Sequence, residues 1–330
     1  MRMAEAMTIG VQLGRRSARA VSARELVDVG VDLRAVSRLV KAGDVTALWR
    51  GMYAFGPVSD LTRAHAAIKH AKQRVPDGKP QPAPVVTGLL ALRALELPWV
   101  PHSTHVQVLV GRDVHRPSYE QITVRRCWDI TTVDTWSLDG ARIADSTRAA
   151  YDGARECESL RDVRGVILGA VNDGVTTQHL TRLLDEGAVG GTRWTRRAVL
   201  DASRGCASPP EAEAVDAMIG CGWPFYVNPD LYLGGQFLCR PDVFLVGTGS
   251  GGELDSVQEH NASQEKLVHT LNRHTTAARV IDLLHRTPGQ LRADPPAFVR
   301  ALIAQAEDRL ARGLGDPQGL EIRPRGPLLR

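Results

Sequence analysis

Five side chains in the last third of the chain have types and spacings suited to phosphate chemistry: Asp242, Glu253, Asp255, Glu211 and His260. Arg240-Pro241-Asp242 stands where a strand is expected, and Glu253-Leu254-Asp255 opens the next strand after the glycine-rich run Gly247 to Gly252 (GTGSGG). Strand side chains alternate, so Glu253 and Asp255 point to one face and a hairpin brings Asp242 beside them. Clustered carboxylates repel one another unless a cation sits among the oxygens, and hard oxygen ligands suit magnesium or manganese. An ion held there polarises a phosphodiester and lowers the pKa of an attacking water. His260 follows the Glu253 strand closely and is suited to relay a proton. The spacing of His260, His269, His274 and His285 fits neither a His-x-x-x-His ligand helix nor a cysteine-containing zinc site, and His269 and His274 read as a solvated helix face.

The elements that must position this set follow from pattern. Ser208 at an N-cap, Pro209 at the first helical position and Glu211 three residues on predict a helix from Pro209 to about Gly220. Glu211 is therefore either a member of the acidic set or half of a capping box. Short strands are expected within Phe225 to Leu233 and Gln236 to Val246, a third in Glu253 to Val257, a helix from Ala262 to His274 and a strand around Arg279 to Leu284.

A second set of charges lies near the N-terminus. After a polar start, Ser22 to Gly30 reads as a short capped helix, Gly30 as a tight turn, and Asp32 to Ala42 as a second helix ended by Gly43. Its apolar stripe is Leu33, Val36, Leu39 and Val40, with Arg34, Arg38 and Lys41 on or beside the opposite face. Val45 to Phe55 has strand composition broken at Arg50-Gly51, a hairpin or wing signal. Helix, turn, basic helix and hairpin is the order of a winged helix-turn-helix, and Arg34, Arg38, Lys41 and Arg50 are the expected DNA contacts.

Between the two sets, Gln73 to Pro84 reads as an exposed linker after a helical segment Thr62 to Lys72. Val85 to Leu97 reads as a buried helix, His105 to Val110 and Gln121 to Arg126 as paired strands, Asp134 to Cys157 as helix, and Leu160 to Ser203 as helix broken at Gly174 and at Gly187 to Gly191. The expected fold class is α+β: residues 1–80 a winged helix-turn-helix with linker, 81–204 a middle α+β domain, and 205–330 a C-terminal α/β domain that the second resemblance below implies is restriction-endonuclease-like.

Two resemblances give these readings family names. Leu26, Gly30, Val36, Lys41-Ala42-Gly43 and Trp49-Arg50-Gly51-Met52-Tyr53 resemble the N-terminal winged helix of AbiEi-type antitoxins over roughly residues 20 to 60. That resemblance implies a DNA-binding regulator, and implies that the middle block packs as an α+β unit without chemistry of its own. Ser208, Glu211, Pro241, Asp242, Glu253, Asp255, His260 and Thr287-Pro288-Gly289-Gln290-Leu291 resemble the short-patch-repair-like branch of the PD-(D/E)XK nucleases over roughly residues 205 to 312. It implies that Asp242 and Glu253 bind magnesium or manganese and that Glu211 completes the acidic set. Asp255 stands where that superfamily often has Lys, and a carboxylate cannot stabilise developing negative charge as a Lys would. Lys266, on the following helix, substitutes only if that helix faces the site. The function implied is a DNA-binding, metal-dependent endonuclease in a defence or mobile-element setting. The alternative is a non-enzymatic antitoxin or repressor with a degenerate nuclease fold and a toxin or defence-system protein as partner.

Composition bounds both readings. The chain has 330 residues, 43% hydrophobic and 24% charged, which excludes wholesale disorder, collagen-like repeats and coiled coil. Net charge is +4, compatible with a polyanionic partner. Five cysteines without a Cys-x-x-Cys pair, and no long apolar run, lead to the expectation of a cytoplasmic protein with no membrane partner and no structural zinc.

Overall fold

The computed structural model describes residues 3–15, 17–72, 82–187, 190–255 and 280–330. The fold is mixed α+β with several sheets, in two compact units, Met1–Thr195 and Arg196–Arg330. The segments expected as a winged helix and as a separate middle domain therefore fall in one unit. One apolar cluster spans both, from Ala20, Trp49, Met52 and Ala54 to Val86, Val108 and Ile122. Among the described residues no helix is long and apolar enough to cross a membrane.

The first unit begins with α1 (Met3–Gly14), β1 (Ala20–Ser22), α2 (Ala23–Asp28), α3 (Leu33–Ala42), β2 (Thr46–Trp49) and β3 (Met52–Ala54), the strands pairing in the order β1-β3-β2. The α1 helix occupies the segment that reads in sequence only as a polar start. It forms because Phe55 lies where a Cβ at Gly10 would be, 2.1 Å from the ring, so Gly10 admits an aromatic that seals the helix onto α2 and α3. The two short helices match expectation. Ser22 and Glu25 form a capping box at the start of α2, Asp32 caps α3, and Gly43 ends α3 at φ 82°. Arg50-Gly51 joins β2 to β3, with Gly51 at φ 76°.

After α4 (Asp60–Ala71) comes a five-stranded sheet, order β6-β5-β4-β8-β7, built from β4 (Val85–Thr87), β5 (Val106–Gly111), β6 (Ile122–Cys127), β7 (Thr135–Leu138) and β8 (Ala141–Ala144). Two expectations are corrected here. Val85 to Leu97 is not one helix: its first three residues are the central strand β4, and the chain turns at Gly88 (φ 74°) into α5 (Gly88–Ala94). Asp134 to Cys157 begins as the β7–β8 hairpin, turned at Asp139-Gly140, and becomes helical only in α6 (Ser146–Ala154). An Asp-Gly pair between short strands is a hairpin signal that outranks the helical composition on either side. β5 and β6 pair as expected, in parallel. Then follow α7 (Leu160–Asn172), α8 (Thr177–Glu186) and α9 (Arg193–Ser203), broken where Gly174 and Gly187 predict, with most of α9 already in the second unit.

The second unit holds α10 (Pro209–Met218) and a four-stranded sheet, order β14-β13-β12-β9, of β9 (Phe225–Val227), β12 (Val243–Leu245), β13 (Ser250–Leu254) and β14 (Asp282–Arg286). β9, β12 and β13 pair antiparallel, and β13 and β14 pair parallel. β10 (Asp230–Leu233), β11 (Gln236–Cys239) and β15 (Leu320–Arg323) make a smaller sheet. α11 (Pro288–Ala293) starts with a Thr287–Gln290 capping box, and α12 (Pro295–Ala311) packs on β13 and β14. Gly251 and Gly252, expected in a turn, are strand residues. A Cβ on Gly252 would lie 3.0 Å from the Phe298 ring, and one on Gly251 2.9 Å from the Val243 carbonyl, so glycine is required for this close packing. The expected helix Ala262 to His274 lies outside the described residues.

Candidate functional site

In the first unit α3 buries Ala35, Val36 and Leu39 and leaves Arg34, Arg38 and Lys41 exposed. Positions i, i+4 and i+7 fall on one face of a helix, so the three cations form a row directed away from the core. Arg50 is exposed on the β2–β3 turn. Residues 1–72 carry twelve Lys and Arg against six Asp and Glu, so the positive balance of the whole chain is concentrated here.

The base under α3 is fixed by charge as well as by packing. Glu25 accepts from Lys69 Nζ at 2.7 and 3.0 Å and from the Ser22 backbone N–H at 2.7 Å, and Lys69 also donates to the Ala20 carbonyl at 2.7 Å. Burial works to raise the Glu25 pKa, but the Lys69 and Ser22 hydrogen bonds outweigh it and hold the carboxyl below its ordinary value.

In the second unit the register supplies the geometry. Val243 pairs with Gly252, so Asp242 stands one residue further along, opposite Glu253, and the two side chains share a face. Asp242 Oδ2 accepts from the Leu254 N–H at 2.6 Å, which orients the carboxylate. Glu253 pairs across the parallel ladder with His285, and His285 Nδ1 lies 3.0 Å from Asp255 Oδ2. Asp242, Glu253, Asp255 and His285 thus gather at one end of the sheet. His285 is the histidine to which sequence reading gives no role. Its signal is the strand position, which becomes informative only once β14 is paired beside β13.

Glu211 is differently placed. Its Oε1 accepts from Ser208 Oγ at 2.7 Å, and its Oε2 accepts from the Ala207 N–H at 2.7 Å and from Asn228 Nδ2. Both oxygens are engaged in the helix start, and burial, outweighing these bonds, pushes its pKa up. Asn228 also donates its backbone N–H to the Asp242 carbonyl at 3.1 Å, so Glu211 is tied to the acidic end through a shared neighbour. Among the described residues no group of three or more His, Cys, Asp or Glu is arranged to hold a metal. Asp242 and Glu253 are the two carboxylates that the register sets side by side, the donor type that magnesium takes one or two of together with substrate phosphate. His260, Lys266, His269 and His274 lie outside the described residues.

The middle strands carry a buried polar cluster that sequence reading does not find. Asp152 accepts from Thr87 Oγ1 at 2.9 Å and from Arg148 Nε at 2.7 Å, and Glu156 accepts from the Leu89 N–H at 3.1 Å beside His105 at 3.0 Å. A Cβ on Gly88 would lie 2.0 Å from Glu156 Oε1, so Gly88 is what allows the carboxylate to reach the start of α5. These contacts bind α6 to the sheet and satisfy one another, which is a structural task.

No family model matches this chain, and no curated protein matches it. Among solved structures it is similar to the RV2827C protein from Mycobacterium tuberculosis, at 16% identity and a TM-score of 0.39, over 63% of this chain and 80% of that one.

Proposed function

We propose that this chain is a duplex-DNA-binding protein, contacting DNA through α3 and the β2–β3 turn of a winged helix, with a PD-(D/E)XK-like second unit that hydrolyses DNA phosphodiesters. The observation that carries the reading is the exposed row Arg34, Arg38 and Lys41, on the second of two helices and followed by a hairpin that presents Arg50. Cations so arranged suit phosphate contacts along a groove, and the element order helix, strand, helix, helix, strand, strand supports a winged helix. For the hydrolytic step, Asp242 and Glu253 would hold magnesium or manganese. When bound, the ion supplies Lewis acidity and a lowered pKa for the attacking water. The Leu254 N–H keeps Asp242 oriented. The protein would work in the cytoplasm, in phage defence or mobile-element biology, a location that the five free cysteines support.

The assay is cleavage of supercoiled and linear DNA with magnesium or manganese. Wild type is expected to cleave, Glu253→Ala to lose orders of magnitude in rate, and Asp255→Lys to match or exceed wild type because it restores a cation at the phosphate. Wild-type cleavage that persists unchanged in Glu253→Ala overturns the assignment of the site.

A second reading is favoured by Glu211, whose two oxygens are engaged by the helix start, and by the carboxylate at position 255. It is an AbiEi-like antitoxin or repressor that has kept a nuclease fold without catalysis, with a toxin or defence-system protein as partner. Wild type that binds DNA without cleaving it, while Asp255→Lys cleaves, selects this reading.

A further inference from the structure

Trp128 is 82% exposed, an unusual situation for an indole, and the Arg112 guanidinium lies 4.8 Å above its ring. Gly111 pairs with Cys127 at the end of the parallel β5–β6 ladder, so Arg112 and Trp128 leave the sheet side by side. Arg126, exposed on β6, precedes them on a strand that forms the edge of the sheet. A guanidinium stacked on an aromatic face keeps its N–H edge directed outward, the arrangement that recognises phosphate oxygens. The contact of Arg112 with Asp113, at 3.7 Å and largely exposed, competes only weakly.

The β5–β6 connection that Arg112 opens also reaches the base of the wing, through its residues beside the start of β6. Trp49, which precedes Arg50, packs edge-on against His70 of α4 at 6.2 Å, and His70 packs against Tyr119 of the β5–β6 connection at 5.5 Å. His70 Nε2 also lies 3.0 Å from the Pro117 carbonyl, and Arg116 donates to the Lys72 carbonyl at the end of α4. The connection is therefore anchored to the element on which the hairpin rests.

We propose that the DNA contact extends beyond α3 and the hairpin turn onto the start of this connection and the adjoining end of the edge strand β6, with Arg112, positioned by Trp128, and Arg126 contacting phosphates of the same duplex. The proposal rests on the duplex-DNA reading above. It predicts a footprint longer than a winged helix alone would give, and a phosphate contact that depends on an indole.

The test measures binding of the full chain to a labelled mixed-sequence duplex as a function of salt, for wild type, Arg112→Ala/Arg126→Ala, Trp128→Ala and Arg38→Glu, with thermal unfolding to verify folding. The double variant is expected to give a slope of log affinity against log salt shallower by about 0.9 for each phosphate it no longer neutralises. Trp128→Ala should reproduce part of that change. An unchanged slope and affinity in the double variant, while Arg38→Glu abolishes binding, overturns the extension and leaves the α3 reading standing. A slope reduced in the double variant but insensitive to Arg38→Glu supports the extension and overturns the role of α3. Wild type that binds no duplex at low salt overturns both.

Discussion

The same short motif opens a helix in each unit, and its glutamate meets opposite fates. Ser22-Ala23-Arg24-Glu25 begins α2, and Ser208-Pro209-Pro210-Glu211 begins α10. Glu25 stays partly exposed and gains the Lys69 ammonium, which holds its pKa down. Glu211 is buried among three neutral donors, Ala207 N–H, Ser208 Oγ and Asn228 Nδ2, and its pKa is pushed up. Local spacing specifies the cap in both cases. The third partner, a cation from α4 or an amide from the end of β9, decides whether the carboxylate strengthens an ion pair or is confined to holding a helix start.

The contrast extends to the two sets of side chains proposed for function. On α3 the proposed DNA contacts are residues that the fold leaves exposed. At the acidic end of the second unit the proposed site residues are already engaged by the fold, as the Leu254 N–H on Asp242 and the His285 contact on Asp255 illustrate. Substitutions in the first region should therefore separate binding from stability.

The largest effect should come from charge reversal. Arg38→Glu/Arg50→Glu replaces two attractive phosphate contacts by repulsive ones, so a mobility-shift assay is expected to show loss of duplex binding even at low salt, with the urea midpoint unchanged. A variant that loses stability together with binding would remove the distinction between the two regions.

Next comes Glu211→Ala, which removes the Glu211 acceptor of the Ala207 N–H and one of the two acceptors of the Asn228 amide, the other being the Gly205 carbonyl. Loss of a hydrogen bond to a buried donor costs on the order of 1–3 kcal/mol, so the urea midpoint of the full chain should fall clearly. An unchanged midpoint would free Glu211 from its structural task and return it to the acidic set.

The smallest effect concerns Glu25. Because its folded pKa lies below its unfolded one, its contribution is fully present above the ordinary glutamate range and is lost as pH falls through the lowered folded value. Glu25→Gln should cost no more than about 1 kcal/mol at neutral pH, given partial exposure, and the difference from wild type should vanish in acid. A difference that grows as pH falls would reverse the assigned sign.

Legibility in the sequence follows the range of the interactions. Caps, glycine stops and helical stripes operate within a few residues, so α2, α3, α10 and the breaks around α8 are readable from Ser22, Asp32, Gly43, Ser208, Gly174 and Gly187. The α1 helix is not, because its support is Phe55, a residue distant in sequence that fills the space over Gly10. The central strand β4 is not, because its apolar run Val85-Val86 suits a buried helix equally well until strands on both sides claim its backbone.

The sequence by itself determined which carboxylates and cations exist and which helices they start or line; the strand expected from Glu253 instead runs Ser250–Leu254, so Asp255 lies just past its end. Only the tertiary structure decided that Asp242 stands opposite Glu253, that His285 reaches Asp255, and that both oxygens of Glu211 are engaged. The physical reason is that strand register and burial are set by partners far along the chain, and a side chain's protonation and availability depend on those partners rather than on its neighbours in sequence.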